Sequence, residues 1–108
     1  MLLNNNYEVL VLAGYGAMGQ AFLSLCYDFV ARFQTLVLLD IDSCADLPGG
    51  CDRFIQQDVH DRELLTKNLQ PYIGRFLFIN LTAGTDTYQV RQVIAELDGA
   101  YIDTALIV

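Results

Sequence analysis

The sequence predicts an α/β domain, a parallel β-sheet with helices on both faces. Three observations carry this expectation. Five short β-rich runs alternate with segments of helical periodicity. The inner runs are apolar without alternation, as strands buried on both faces are. Between the first run and the first helical segment lies the glycine turn Gly14-Tyr15-Gly16-Ala17-Met18-Gly19.

The elements follow in order. The first strand is expected over 8–13 and the first helix over 16–33. In that helix Ala17, Ala21, Phe22, Leu25, Phe29 and Val30 recur at helical spacing and are expected to face the core. Small Ala17 and Ala21 would bring the helix close to the sheet, with Cys26 buried. The second strand is 35–40, and Pro48-Gly49-Gly50 marks a turn after it. The third strand is 53–57. Asp61 reads as the cap of a helix over 61–70, with Leu64, Leu65 and Leu69 inward and Pro71 and Gly74 ending it. The fourth strand is 76–81. Gly84 breaks the chain, and Thr85 or Asp86 caps a helix over 87–98. Its buried face is Tyr88, Val90, Val93, Ile94 and Leu97, and Gly99 ends it. The fifth strand is 100–104. Right-handed crossovers then give strand order 3-2-1-4-5, a Rossmann-type sheet.

Composition narrows the function. The 108 residues suit one domain, and 54% are hydrophobic, enough to build a core. Residues 1–108 are expected to form a cofactor-binding domain of a longer enzyme, because the chain stops in the apolar run 105–108. The net charge of -7, from 6 basic and 13 acidic side chains, disfavours nucleic acid and anionic membrane as partners. No apolar stretch reaches the roughly 20 residues of a membrane helix. The N-terminus lacks the positive segment of a signal peptide, so the cytoplasm is the expected compartment. Cys26, Cys44 and Cys51 have no metal-ligand spacing, and free thiols and no metal are expected. A disulfide between Cys44 and Cys51 stays open as an alternative.

The glycine turn points to a dinucleotide. Gly14 permits the tight turn out of the first strand, Gly16 removes a side chain where backbone approaches phosphate, and Gly19 lets the helix pack closely. The helix N-terminus offers free N–H groups and about half a positive charge. Tyr15, Ala17 and Met18 complete this cofactor-binding turn. Asp40 ends the second strand, where a carboxylate accepts from the adenosine ribose hydroxyls. Asp42 follows it, and no Arg or Lys stands beside them, which favours NAD over NADP. Asp58 and Val59, at the end of the third strand, are expected beside the adenine. Asn80, Leu81 and Thr82, at the end of the fourth, are expected near the nicotinamide half. His60 reads as a surface or capping residue. Asp103 is a candidate for the reaction site or for backbone hydrogen bonding, and no catalytic residue is assigned.

The second half carries a further signature. Phe78-Ile79-Asn80-Leu81-Thr82, followed by a helix and then Gly99-Ala100-Tyr101-Ile102-Asp103-Thr104-Ala105, resembles the cofactor domain of homospermidine synthase. It is similar, less closely, to the wider saccharopine dehydrogenase-like family. Thr82 stands where those enzymes usually have Ser, and Leu106-Ile107-Val108 replace an acidic residue and a Trp. The resemblance implies an NAD(P)-dependent oxidoreductase acting on amine C–N bonds. A small amine substrate would be held mainly by a second domain, and the protein could be a homodimer. Gly14, Gly16, Gly19, Asp40, Asn80, Leu81 and Thr82 carry over as cofactor contacts. A different class remains open: a nucleotide-sensing regulatory module, like the cytoplasmic domains of potassium channels, with no catalysis of its own.

Overall fold

The structure is a computed structural model, and it describes residues 7–44, 46–82 and 87–103. Its elements are β1 (Val9–Ala13), α1 (Ala17–Leu25), α2 (Tyr27–Val30), β2 (Thr35–Asp40), β3 (Arg53–Gln56), α3 (Arg62–Leu69), β4 (Phe76–Asn80), α4 (Tyr88–Glu96) and β5 (Ala100–Asp103). A 3-10 turn, Gln70–Tyr72, follows α3. The strands form one parallel sheet in the order β3-β2-β1-β4-β5. It is the Rossmann-type arrangement that the pattern predicts. Its register sets Ala13 beside Leu39 and Asn80, and Asn80 beside Asp103. The polar ends of the strands therefore finish on one rim.

The two faces of the sheet have separate cores. Val9, Val11, Val37, Leu39, Phe76 and Phe78 point to α3 and α4, where Leu65, Leu69, Val90, Val93 and Ile94 meet them. Leu10, Leu12, Leu36, Leu38, Leu77 and Ile79 point to α1 and α2. A fully buried side chain of this size contributes about 1.5–3 kcal/mol, so the doubly covered strands β1 and β4 anchor the domain. Asp61 caps α3 as expected, its Oδ1 accepting from the Leu64 N–H at 3.2 Å. The three cysteines are free.

The first helix departs from expectation. It is broken at Cys26, whose backbone (φ -108°, ψ 33°) leaves the helical region before α2 restarts. The break lets Phe22, Phe29 and Phe33 pack edge to face over the leucine side of the sheet. The inward stripe is Gly19, Phe22, Leu23 and Cys26, not the expected Ala17, Ala21 and Leu25. Ala17 and Ala21 are exposed, and Leu25 is 84% exposed. Cys26 is only half-buried. The close approach to the sheet comes from Gly19 instead.

Smaller differences lie at element ends. Gln57 and Leu81 fall just past β3 and β4. Tyr88 is exposed, because it sits two residues before Val90 and so on the opposite side of α4; its hydroxyl accepts from Gln92 Nε2 at 3.1 Å. Asp98, not Gly99, takes the left-handed turn after α4, with φ 58°. Gly99 serves packing, since a Cβ there would run into the buried Phe76 ring. Gly84, Thr85, Asp86 and Thr104 lie outside the described residues.

Gly99→Ala should therefore destabilise the domain by about 1–3 kcal/mol through overpacking. Calorimetric melting checks this, and adding Phe76→Leu should recover part of the loss in a double-mutant cycle.

Candidate functional site

A groove of about 530 Å³ opens at the carboxyl ends of β1, β2 and β4. In this topology the chain reverses direction across the sheet between β1 and β4, where ligands of open α/β sheets collect. Its floor is built by backbone demands. Gly14 has φ +98°, and a Cβ there would crowd the Leu81 and Thr82 backbone at 3.1 Å. Its N–H donates to Leu39 O at 2.7 Å, and the Leu81 N–H donates to Ala13 O at 2.8 Å. A Cβ on Gly19 would run into the Gly14 carbonyl oxygen. Gly16 differs from both, for a Cβ there meets nothing within 4 Å. It occupies the N-cap of α1 with no side-chain cap, and the first turn carries no acid. The leading N–H groups of α1 thus receive no side-chain cap from Gly16.

Asp40 ties this turn to the sheet. Its Oδ2 accepts from the Tyr15 N–H at 2.6 Å, and its Oδ1 accepts from the Asp42 N–H at 3.0 Å. A carboxylate has about four lone-pair sites, so acceptor capacity remains on both oxygens. Asp40 is half-buried and lines the groove. It also lines an adjoining hollow of about 510 Å³, shared with Tyr15, Gly16, Asp42, Ser43 and Asp46. Among the described residues, neither lining contains Lys or Arg.

The β3 end contributes Asp58, Val59 and His60. Asp58 Oδ1 accepts from the His60 N–H at 2.9 Å and lies 3.1 Å from His60 Nδ1. The His60 backbone N–H, then its ring, hold the Asp58 carboxyl below the usual carboxylate range. Val59 is buried beneath them.

At the β4 end the structure separates the three residues. Leu81 and Thr82 line the groove, but Asn80 does not. Asn80 is buried, and its amide is used within the protein. Oδ1 accepts from the Thr82 N–H at 3.0 Å and from the Thr82 hydroxyl at 2.6 Å, while Nδ2 donates to the Tyr101 hydroxyl at 3.0 Å. Burial pushes the Tyr101 phenol up; the Asn80 amide pulls it partly back and Asp103 raises it again. Tyr15 and Gly19 also stay outside the groove, Tyr15 meeting it only through the N–H bound to Asp40. Gly14, Gly16, Ala17, Met18, Asp40, Asp58, Val59, Leu81 and Thr82 are brought together as expected.

Sequence reading missed Ala13, Leu39, Ile41, Gln57 and His60 in the lining. The first three are apolar residues at strand ends, with no local signal. Gln57 had one, a polar residue closing an apolar run; buried, it accepts from Asn68 Nδ2 at 2.8 Å and donates to Asp58 O at 3.0 Å. His60 was legible as a turn residue and not as a groove residue. A larger hollow of about 770 Å³ lies beside α1 and α2, away from the strand ends. Its only carboxylate among the described residues, Asp52, is engaged by the Leu36 N–H at 2.8 Å.

No family model and no curated protein matches the chain. Among solved structures, it is similar to the Helicobacter pylori ADP-L-glycero-D-manno-heptose-6-epimerase, with a TM-score of 0.60 and 12% identity. The alignment covers 91% of this chain and 39% of the epimerase chain. At that identity the likeness establishes the Rossmann-type fold. No helix among the described residues is long and apolar enough to cross a membrane.

Asp58 should titrate below an ordinary aspartate by NMR. Because the backbone N–H of His60 is the larger cause, His60→Ala should keep most of the depression. A depressed folded-state pKa adds stability above the unfolded value and loses it as pH falls through the folded one. A full return to the ordinary value in His60→Ala would assign the effect to the ring.

Proposed function

We propose that the groove binds NAD, as the cofactor site of an oxidoreductase. The single observation that carries this is Gly16, open above the uncapped N-terminus of α1 and beside Asp40. Backbone N–H groups and the helix dipole suit a pyrophosphate, and no side-chain cation is needed. The free lone pairs of Asp40 suit the two hydroxyls of the adenosine ribose. Asp58 and Val59 then flank the adenine, and Leu81 and Thr82 the second half of the dinucleotide.

NAD is favoured over NADP by charge. A 2′-phosphate on that ribose would approach Asp40, with Asp42 and Asp46 in the adjoining hollow and no cation among the described lining residues. The substrate class rests on the homospermidine synthase and saccharopine dehydrogenase resemblance. On that reading the hydride acceptor serves oxidation at an amine carbon, with the amine held mainly by a further domain. The chain spans 39% of the length of the epimerase it resembles in fold.

Calorimetric titration with NAD, NADP and ATP tests the proposal. NAD should bind most tightly. Asp40→Ala should weaken NAD binding at least tenfold, from the loss of about 1.5–3 kcal/mol of charge-assisted hydrogen bonding. Gly16→Val should abolish binding while leaving the fold intact, since a Cβ there meets nothing within 4 Å. Tighter binding of ATP than NAD would instead favour a nucleotide sensor, and normal NAD affinity in Gly16→Val would make the glycine turn purely structural.

A further inference from the structure

The hydrogen bonds at the β4 and β5 ends have fixed directions. A backbone N–H can only donate, so the Asn80 side-chain atom facing the Thr82 N–H is the oxygen. The Thr82 hydroxyl, 2.6 Å from that same oxygen, must then donate its one proton to it. Asn80 Nδ2 donates to the Tyr101 hydroxyl. Three side chains thus form one polarised chain, Thr82 to Asn80 to Tyr101. Each link strengthens its neighbours in a partly buried setting.

The chain has a consequence inside the groove. Thr82 lines the groove, and the one proton of its hydroxyl is committed to Asn80, so that hydroxyl can offer a ligand only lone pairs. We infer that Thr82 is an acceptor-only contact for the hydroxyls of the nicotinamide-side ribose, and that Asn80 is the residue that sets its polarity.

The other parts of a dinucleotide fit this position less well. Phosphate oxygens carry no proton at neutral pH, and they would face lone pair against lone pair at Thr82. They are better served by the N–H groups of α1. Adenine and the first ribose belong to the β3 and β2 ends, with Asp58 and Asp40. Thr82 lies two strands from Asp40 along the rim, about 10 Å at ordinary strand spacing, with the glycine turn between them. The donor group that follows the pyrophosphate is the second ribose. This inference rests on the dinucleotide reading of the groove.

The test compares NAD, ADP-ribose and ADP by calorimetry, since ADP lacks the second ribose and ADP-ribose lacks the nicotinamide. The unchanged protein should bind ADP-ribose more tightly than ADP; equal affinities would overturn the inference. Thr82→Val should cost NAD and ADP-ribose about tenfold relative to ADP, and Thr82→Ser should restore both. A loss confined to NAD would move the contact to the carboxamide and overturn the ribose assignment. An equal loss for all three ligands would reduce Thr82 to a structural part. Asn80→Ala frees the Thr82 proton to turn into the groove, so the preference for ADP-ribose over ADP should fall. An unchanged preference in folded Asn80→Ala removes Asn80 from its positioning role. If the unchanged protein bound neither NAD nor ADP, the dinucleotide reading itself would fail.

Discussion

The contact between Gly19 and the Gly14 carbonyl governs the placement of everything around the groove. No Cβ fits between them, so the first turn of α1 lies directly on the strand-to-helix turn. That closeness aims the N-terminus of α1 at the rim where β1, β2 and β4 end. Gly14 itself is held from both sides, by Leu39 O on its N–H and by the crowding Leu81 and Thr82 backbone. With two glycines committed to packing, the third, Gly16, keeps the approach open. The Asp40 carboxylate then clamps the turn through the Tyr15 N–H, so the proposed ribose ligand also holds the glycine turn in shape.

The other end of the groove is organised by side chains, not glycines. Asn80 converts a strand end into a defined turn by accepting twice from Thr82 and donating to Tyr101. Among the described residues every buried side-chain nitrogen and oxygen has a hydrogen-bond partner. A buried amide without partners would cost about 1–3 kcal/mol, so Asn80 at this depth requires Thr82 and Tyr101 where they are. The two ends therefore differ in kind. One is a glycine-built backbone turn ahead of α1, and the other a side-chain network with a fixed hydrogen-bond polarity.

Much of the fold was legible because its strands are covered on both faces. Leu36 to Leu39 and Phe76 to Ile79 are apolar throughout, and that pattern survives any detail of packing. The first helix was misread for an equally physical reason. Its true inward stripe includes Gly19, which carries no hydrophobic side chain, while Ala17, Ala21 and Leu25 carry more signal and face solvent. Tyr88 was misplaced on α4 because an aromatic ring reads as core even where helical geometry turns it outward. Asn80 was expected near the nicotinamide half, and its amide bonds to Thr82 and to Tyr101, 21 residues away.

By itself the sequence determined the sheet order, the glycine turn and the acid at the end of β2, because each depends on local periodicity or on a backbone conformation that few residues can adopt. Only the tertiary structure decided which polar groups face the groove and which are spent inside the protein. Hydrogen-bond partners converge from strands distant in sequence, as Asp40 does on Tyr15 and Asn80 on Tyr101. Whether a polar side chain serves a ligand or the fold is set by that convergence, which no local pattern encodes.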